Sequence, residues 1–174
     1  MPGSLVKIDE LTLSSPTASV TLTGIDSTYD VYMVRVSNVQ PVTDNKNFLW
    51  RVTKSGTAQS DSEYDFAGIN MYTHTSFGNT SGTNATSNTF AHSCSNVAGE
   101  TVSATLYLFN FPNASEYSYA TIESAWVNAT PNSVGMTSGL VHTVASASDG
   151  VHFFMESSVN INTGAQFALY GLKK

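Results

Sequence analysis

Apolar residues along this chain recur at every second position far more often than at every third or fourth. That is the period of a β-strand, whose successive side chains alternate between faces. Ser19 to Gly24 sets Val20 and Leu22 on one face and Thr21 and Thr23 on the other. Tyr29 to Asn38 is apolar on both: Tyr32, Val34 and Val36 oppose Val31 and Met33. Such a strand belongs inside a sheet or under a cover. Phe48 to Lys54 groups Phe48, Trp50 and Val52, and Tyr64 to Tyr72 more weakly groups Ala67, Ile69 and Met71. Thr101 to Phe111 is the strongest run. Val102, Ala104, Leu106 and Leu108 face one way; Thr105, Tyr107, Phe109 and Phe111 face the other, up to Pro112-Asn113. Tyr117 to Val127, Gly139 to Val144, Gly150 to Met155 and Gln166 to Leu172 follow, and Leu5 to Leu13 is a candidate first strand.

Turn-forming clusters separate these runs, among them Ser55-Gly56, Asp149-Gly150 and Asn162-Thr163-Gly164. No window carries capped helical periodicity. Eight to ten short strands without helices predict an all-β fold, an antiparallel β-sandwich of jelly-roll-like type. At 174 residues the chain reads as a single domain over 1–174, with 1–17 as an extra edge strand or a contact arm. Residues 78–97, small, polar and nearly uncharged, read as one long polar loop with Phe90 pinning it.

Composition then narrows the function classes. Charged residues are 11% of the chain, under half the usual fraction, while hydrophobic residues are 41%. Ser, Thr and Asn fill the difference. A net charge of −6 without a basic patch argues against nucleic acid, and no apolar run is long enough for a membrane span. Met1-Pro2-Gly3-Ser4 lacks the pattern that opens a signal peptide. The single Cys94 excludes an intramolecular disulfide and reads as an incidental thiol. Lys173-Lys174 reads as a solvated tail.

Candidate chemistry is sparse. His142 and His152 fall in separate strands that could meet across a sheet, but ordinary polar-face roles outweigh metal ligation. Asp61, Glu63 and Asp65 recur every second residue, which suits a solvated edge strand better than a Ca²⁺ site. No nucleophile elbow, P-loop or dinucleotide fingerprint occurs. The expectation is no catalytic residues, no metal, no cofactor and no enzyme. Aromatics are more suggestive. Tyr107, Phe109 and Phe111 lie opposite an equally apolar face, and a simple sandwich has only one inward face per sheet. Either a loop or another subunit covers the second, and a subunit is the stronger reading. Phe90, Tyr107, Phe109, Phe111 and Trp126 are the candidate ligand or partner contacts.

The run Val20 to Tyr32, V-T-L-T-G-I-D-S-T-Y-D-V-Y, resembles the start of a group of virion surface proteins from tailed bacteriophages of marine bacteria and cyanobacteria. Leu106-Tyr107-Leu108-Phe109-Asn110 and the closing Leu169-Tyr170-Gly171-Leu172-Lys173 are similar to later motifs of that group. The likeness runs from about Val6 to Lys174, and its motifs are strand and turn signatures that mark kinship without marking a site. It implies a structural component of the virion surface, made in the host cytoplasm: an exterior capsid decoration, cement or knob protein. Its partners would be the major capsid protein or tail components, together with its own copies, as a homo-oligomer of trimeric type. The alternative it implies is a tail-fibre or receptor-binding module recognising host glycans.

Overall fold

The computed structural model describes residues 4–74 and 77–172; Lys173-Lys174 and Met1-Pro2-Gly3 lie outside the described residues. Thirteen strands run in chain order among those described: β1 (Leu5–Thr12), β2 (Ser19–Thr23), β3 (Val31–Val39), β4 (Lys46–Lys54), β5 (Thr57–Ala58), β6 (Tyr64–Tyr72), β7 (Phe77–Ala85), β8 (Asn88–Cys94), β9 (Val102–Phe109), β10 (Ser118–Val127), β11 (Ser133–His142), β12 (Gly150–Met155) and β13 (Gln166–Leu172). They form an antiparallel eight-stranded sheet ordered β1-β13-β3-β9-β10-β11-β6-β7, and a five-stranded sheet ordered β2-β12-β4-β5 in which β8 also pairs with β4. The fold is an all-β sandwich. No helix among the described residues is long and apolar enough to cross a membrane.

The alternation expected from sequence fills the core. Tyr32, Val34 and Val36 of β3, Leu106 and Leu108 of β9, and Phe167 and Leu169 of β13 turn inward and are buried. Phe48, Trp50 and Val52 of β4 and Val151, Phe153 and Met155 of β12 meet them from the other sheet. Phe48, Phe90, Phe153 and Phe167 stack at centroid separations of 5.2–6.4 Å, joining the sheets through one aromatic cluster. β3, apolar on both faces, sits inside the large sheet between β13 and β9. Residues 5–12 form the edge strand β1.

Two expectations are corrected. Residues 78–97 are not a long loop: most of them form β7 and β8, and only two residues connect those strands, so the chain steps directly from one sheet to the other. β7 escapes a periodicity reading because its inward positions include Gly78 and Gly82. These lie under the rings of Tyr72 and Phe66, where a Cβ would have no room. β8 escapes because Asn88, Thr89, Phe90 and Ala91 are all buried, with β4 on one side and β10 on the other. Asp61, Glu63 and Asp65 do not solvate an edge strand either. β7 covers β6, Asp65 accepts the Asn84 amide at 2.7 Å, and Glu63 pairs with His142.

The motif that carries the phage resemblance is a corner of this fold. The Gly24 and Ile25 amides both donate to the Asp149 carbonyl, at 3.2 and 3.1 Å. The Asp26 carboxylate accepts the Thr28 amide at 2.8 Å, and the Tyr32 hydroxyl accepts the Asp26 amide at 3.0 Å. This stitches the β2–β3 turn to the β11–β12 connection.

Candidate functional site

The outer face of the eight-stranded sheet is the surface on which the sequence and the fold converge. Eight strands at about 4.8 Å spacing make it roughly 34 Å wide. Strand register arranges its side chains in rows. One row sets Val31, Phe109, Tyr119 and Val141 side by side across β3, β9, β10 and β11. The next sets Tyr170, Met33, Tyr107, Thr121, Gly139 and Ala67 across β13 to β6. Tyr107 is 36% exposed and Tyr119 46%. Met33, Phe109 and Val141 are half-buried between them. In the third row Arg35 and Glu123 flank Thr105. The face is therefore an aromatic and aliphatic band bordered by hydroxyls and charges: Asp65 ends the first row beside Val141, Lys7 opens the second beside Tyr170, and Glu10 joins Arg35 and Glu123 in the third.

A shallow depression of about 480 Å³ opens beside Tyr119, where Ala67, Gly139 and Ser81 present almost no side chain. A second, of about 340 Å³, lies between Arg35 and Glu123 over Ser103 and Ala125. Broad, shallow and weakly charged, this face suits a matching surface better than a small molecule.

The five candidate aromatics divide. Tyr107 and Phe109 lie on the outer face as expected. Phe90, Phe111 and Trp126 do not: they are 0%, 1% and 3% exposed and belong to the core, so they offer no surface to a partner. Phe111 leaves the row of Tyr107 and Phe109 because Asn110 adopts a left-handed backbone with φ 62, which ends β9 and turns the next side chain inward. Trp126 alternates with the outward Ala125, and its indole N–H donates to the His92 carbonyl at 2.8 Å. Tyr119, Met33 and Val141 were not among the candidates. The signal for Tyr119 was present, since it alternates with the inward Ala120 and Ile122.

His92, His142, His152 and Cys94 sit apart from this face. His142 of β11 and His152 of β12 lie in different sheets and do not meet. Burial holds the His142 imidazole below its usual value, against the opposing effect of its 3.1 Å hydrogen bond with Glu63. His152 is lowered by burial and by the adjacent Arg51, and its Nδ1 lies 2.8 Å from the Thr21 hydroxyl. Burial also lowers His92, which bonds the Thr80 hydroxyl at 3.0 Å. Cys94 is buried and its thiol is pushed up to about 12. No group of three or more His, Cys, Asp or Glu side chains that could hold a metal occurs among the described residues. Between the sheets, the side chains of Trp50, Asn88, Ser118 and His142 surround one packing gap with no room for a water molecule, and Trp50 Nε1, Asn88 Oδ1, Ser118 Oγ and His142 Nδ1 have no hydrogen-bond partner within the protein.

Comparison with protein-family models and with curated proteins gives no match. Among solved structures, the chain is similar to a fructofuranosidase from Schwanniomyces occidentalis complexed with fructosylnystose, at 9% identity and a TM-score of 0.29. The alignment covers 100% of this chain and 35% of that one. A likeness at that level carries no argument about this chain.

Proposed function

We propose that this chain is a structural component of a tailed-phage virion, acting through protein–protein contacts as an exterior capsid decoration, cement or knob protein. The observation that carries the contact role is the outer face of the eight-stranded sheet. Met33, Tyr107, Phe109, Tyr119 and Val141 form a continuous band there without a charged residue among them. Apolar surface gathered in one band marks an interaction site more than the same residues scattered singly. Tyr and Met are also residue types enriched at interfaces. The virion setting is supported by the resemblance of the Val20–Tyr32, Leu106–Asn110 and Leu169–Lys173 motifs.

Cryo-electron microscopy of the parent particle tests the setting, with density for this sandwich on the capsid exterior as the expected result. Its absence from the particle ends the reading. A binding assay on particles lacking the protein tests the face. Tyr107→Glu with Tyr119→Glu places two charges in the band and is expected to weaken re-attachment at least tenfold while leaving the fold intact. Unchanged re-attachment puts the contact elsewhere.

One observation favours a second reading, recognition of host glycans. Tyr107 and Tyr119 lie on adjacent strands, and Tyr119 borders the depression at Ala67 and Gly139, an arrangement on which sugar rings could stack. A glycan array decides it: binding lost in Tyr119→Ala supports the module, and a blank array removes it.

A further inference from the structure

We infer that β7 pairs antiparallel with β7 of a second copy of this chain, fusing two eight-stranded sheets across a two-fold axis at Asn79. This goes beyond the particle reading and rests chiefly on a free sheet edge, meeting the outer face at the depression over Ala67 and Gly139.

The argument begins with the sheet edges. An open strand edge presents unpaired backbone N–H and C=O groups, and folded proteins blunt such edges with charge, bulges, shortness or cover. The other edges of this sandwich are treated in those ways. β1 carries Lys7, Asp9 and Glu10 and a bulge between Lys7 and Asp9. The Thr23 amide of β2 is capped by the Asp9 carboxylate at 3.0 Å. β5 is two residues long. The free side of β8 is met by β10, through Ser124 to the Phe90 carbonyl and Trp126 to the His92 carbonyl, both at 2.8 Å.

β7 is different. It is nine residues long, contains neither charge nor proline, and no strand among the described residues pairs with its outer side. Its one irregularity, where Asn84 takes φ 53, lies at the far end and leaves 77–82 regular. The absence of charge is what self-pairing requires. Residues near a two-fold axis meet their own copies, so any charge there would oppose itself. In a chain of net charge −6 this edge is neutral throughout.

Side chains then select the register. Phe77 is 75% exposed on the outer face, next to the exposed Met71. Ser81, four residues along on the same face, borders the depression over Ala67 and Gly139. An axis through Asn79 sets Phe77 of each copy opposite Ser81 of the other. Each ring then leans over Ser81 toward the partner's depression. A knob and a hollow on one molecule, related by the axis that pairs its free edge, identify the occupant as a second copy.

Sedimentation of the full chain over micromolar to submillimolar concentrations is expected to give the mass of two chains. Asn79→Lys, which sets two ammonium groups face to face on the axis, is expected to give a single-chain mass with an unchanged circular dichroism spectrum. Asn79→Cys is expected to crosslink two chains on mild oxidation, because opposed residues of antiparallel strands lie within disulfide reach. Thr121→Cys, exposed on the same face but three strands away, is expected not to crosslink. A single-chain mass at every concentration, an oligomer left intact by Asn79→Lys, or no selective crosslink at Asn79 overturns the inference.

Discussion

At the scale of single residues, β10 contains two serines with opposite expectations. Ser118 and Ser124 both point inward and both are buried. The Ser124 hydroxyl donates to the Phe90 carbonyl at 2.8 Å, tying β10 to β8. Ser118 Oγ has no partner within the protein. Removing one side of a made bond strands the other in a dry interior, whereas removing an unmade one strands nothing. Ser124→Ala is therefore expected to cost about 1–2 kcal/mol. Ser118→Ala is expected to be neutral or slightly stabilising. Urea unfolding of both variants checks the pair. Equal losses would mean that the Ser118 oxygen is satisfied after all.

At the scale of elements, the sequence was legible in most strands with one face buried and the other not; β11 is the exception, since its inward Val134 and Met136 alternate with glycine and serine and the reading begins only at Gly139. β9 and β10 follow their alternation residue by residue, and the inward sets of β3 and β4 are groups that periodicity picks out. It failed where a strand lacks that asymmetry. β7 between Phe77 and Ala85 is built from Gly, Asn, Thr and Ser and is held by its neighbour's backbone and rings, while β8 is buried on successive residues. It failed again at a single dihedral: the left-handed Asn110 puts Phe111 in the core and Phe109 outside, a switch that alternation cannot foresee. Two of the five residues of the candidate contact band could be read in the same way. Tyr107 and Phe109 were on the correct face of their strand, but which strands lie beside β9 is a matter of topology. Asn110 itself can be tested. Its carbonyl accepts the Asn113 amide at 3.0 Å, and its side chain reaches Glu116 at 3.0 Å. A β-branched residue tolerates positive φ poorly. Asn110→Val is expected to cost about 1–3 kcal/mol, and Asn110→Gly much less, since glycine adopts that backbone freely. Thermal unfolding of the two variants reads the difference. Equal stability would remove the dihedral as the reason that β9 ends there.

At the scale of the whole molecule, three histidines couple folding to pH in the same direction. His92, His142 and His152 are all held below their ordinary value of 6.5, with burial the first cause in each case. In the unfolded chain each takes up a proton near 6.5, while in the folded protein each resists until the pH is lower. The unfolded state therefore binds more protons in that interval, and stability rises with pH. The stability these rings leave intact is fully present above about pH 7 and is lost as pH falls through 6.5 toward their folded values. Each group contributes a slope of at most about 1.4 kcal/mol per pH unit. The Asp26 carboxyl, lowered chiefly by the Thr28 amide, acts with the same sign at lower pH and does not enter this window. His142 is the most informative of the three. Its ring joins β11 to Glu63, just ahead of β6, and packs on Tyr64 at 5.1 Å. Urea midpoints measured from pH 5.5 to 7.5 are expected to fall on the acid side, and His142→Gln is expected to flatten part of that fall. A midpoint independent of pH would contradict the burial of neutral imidazoles on which the expectation rests. A fall that His142→Gln leaves unchanged would assign it to His92 and His152.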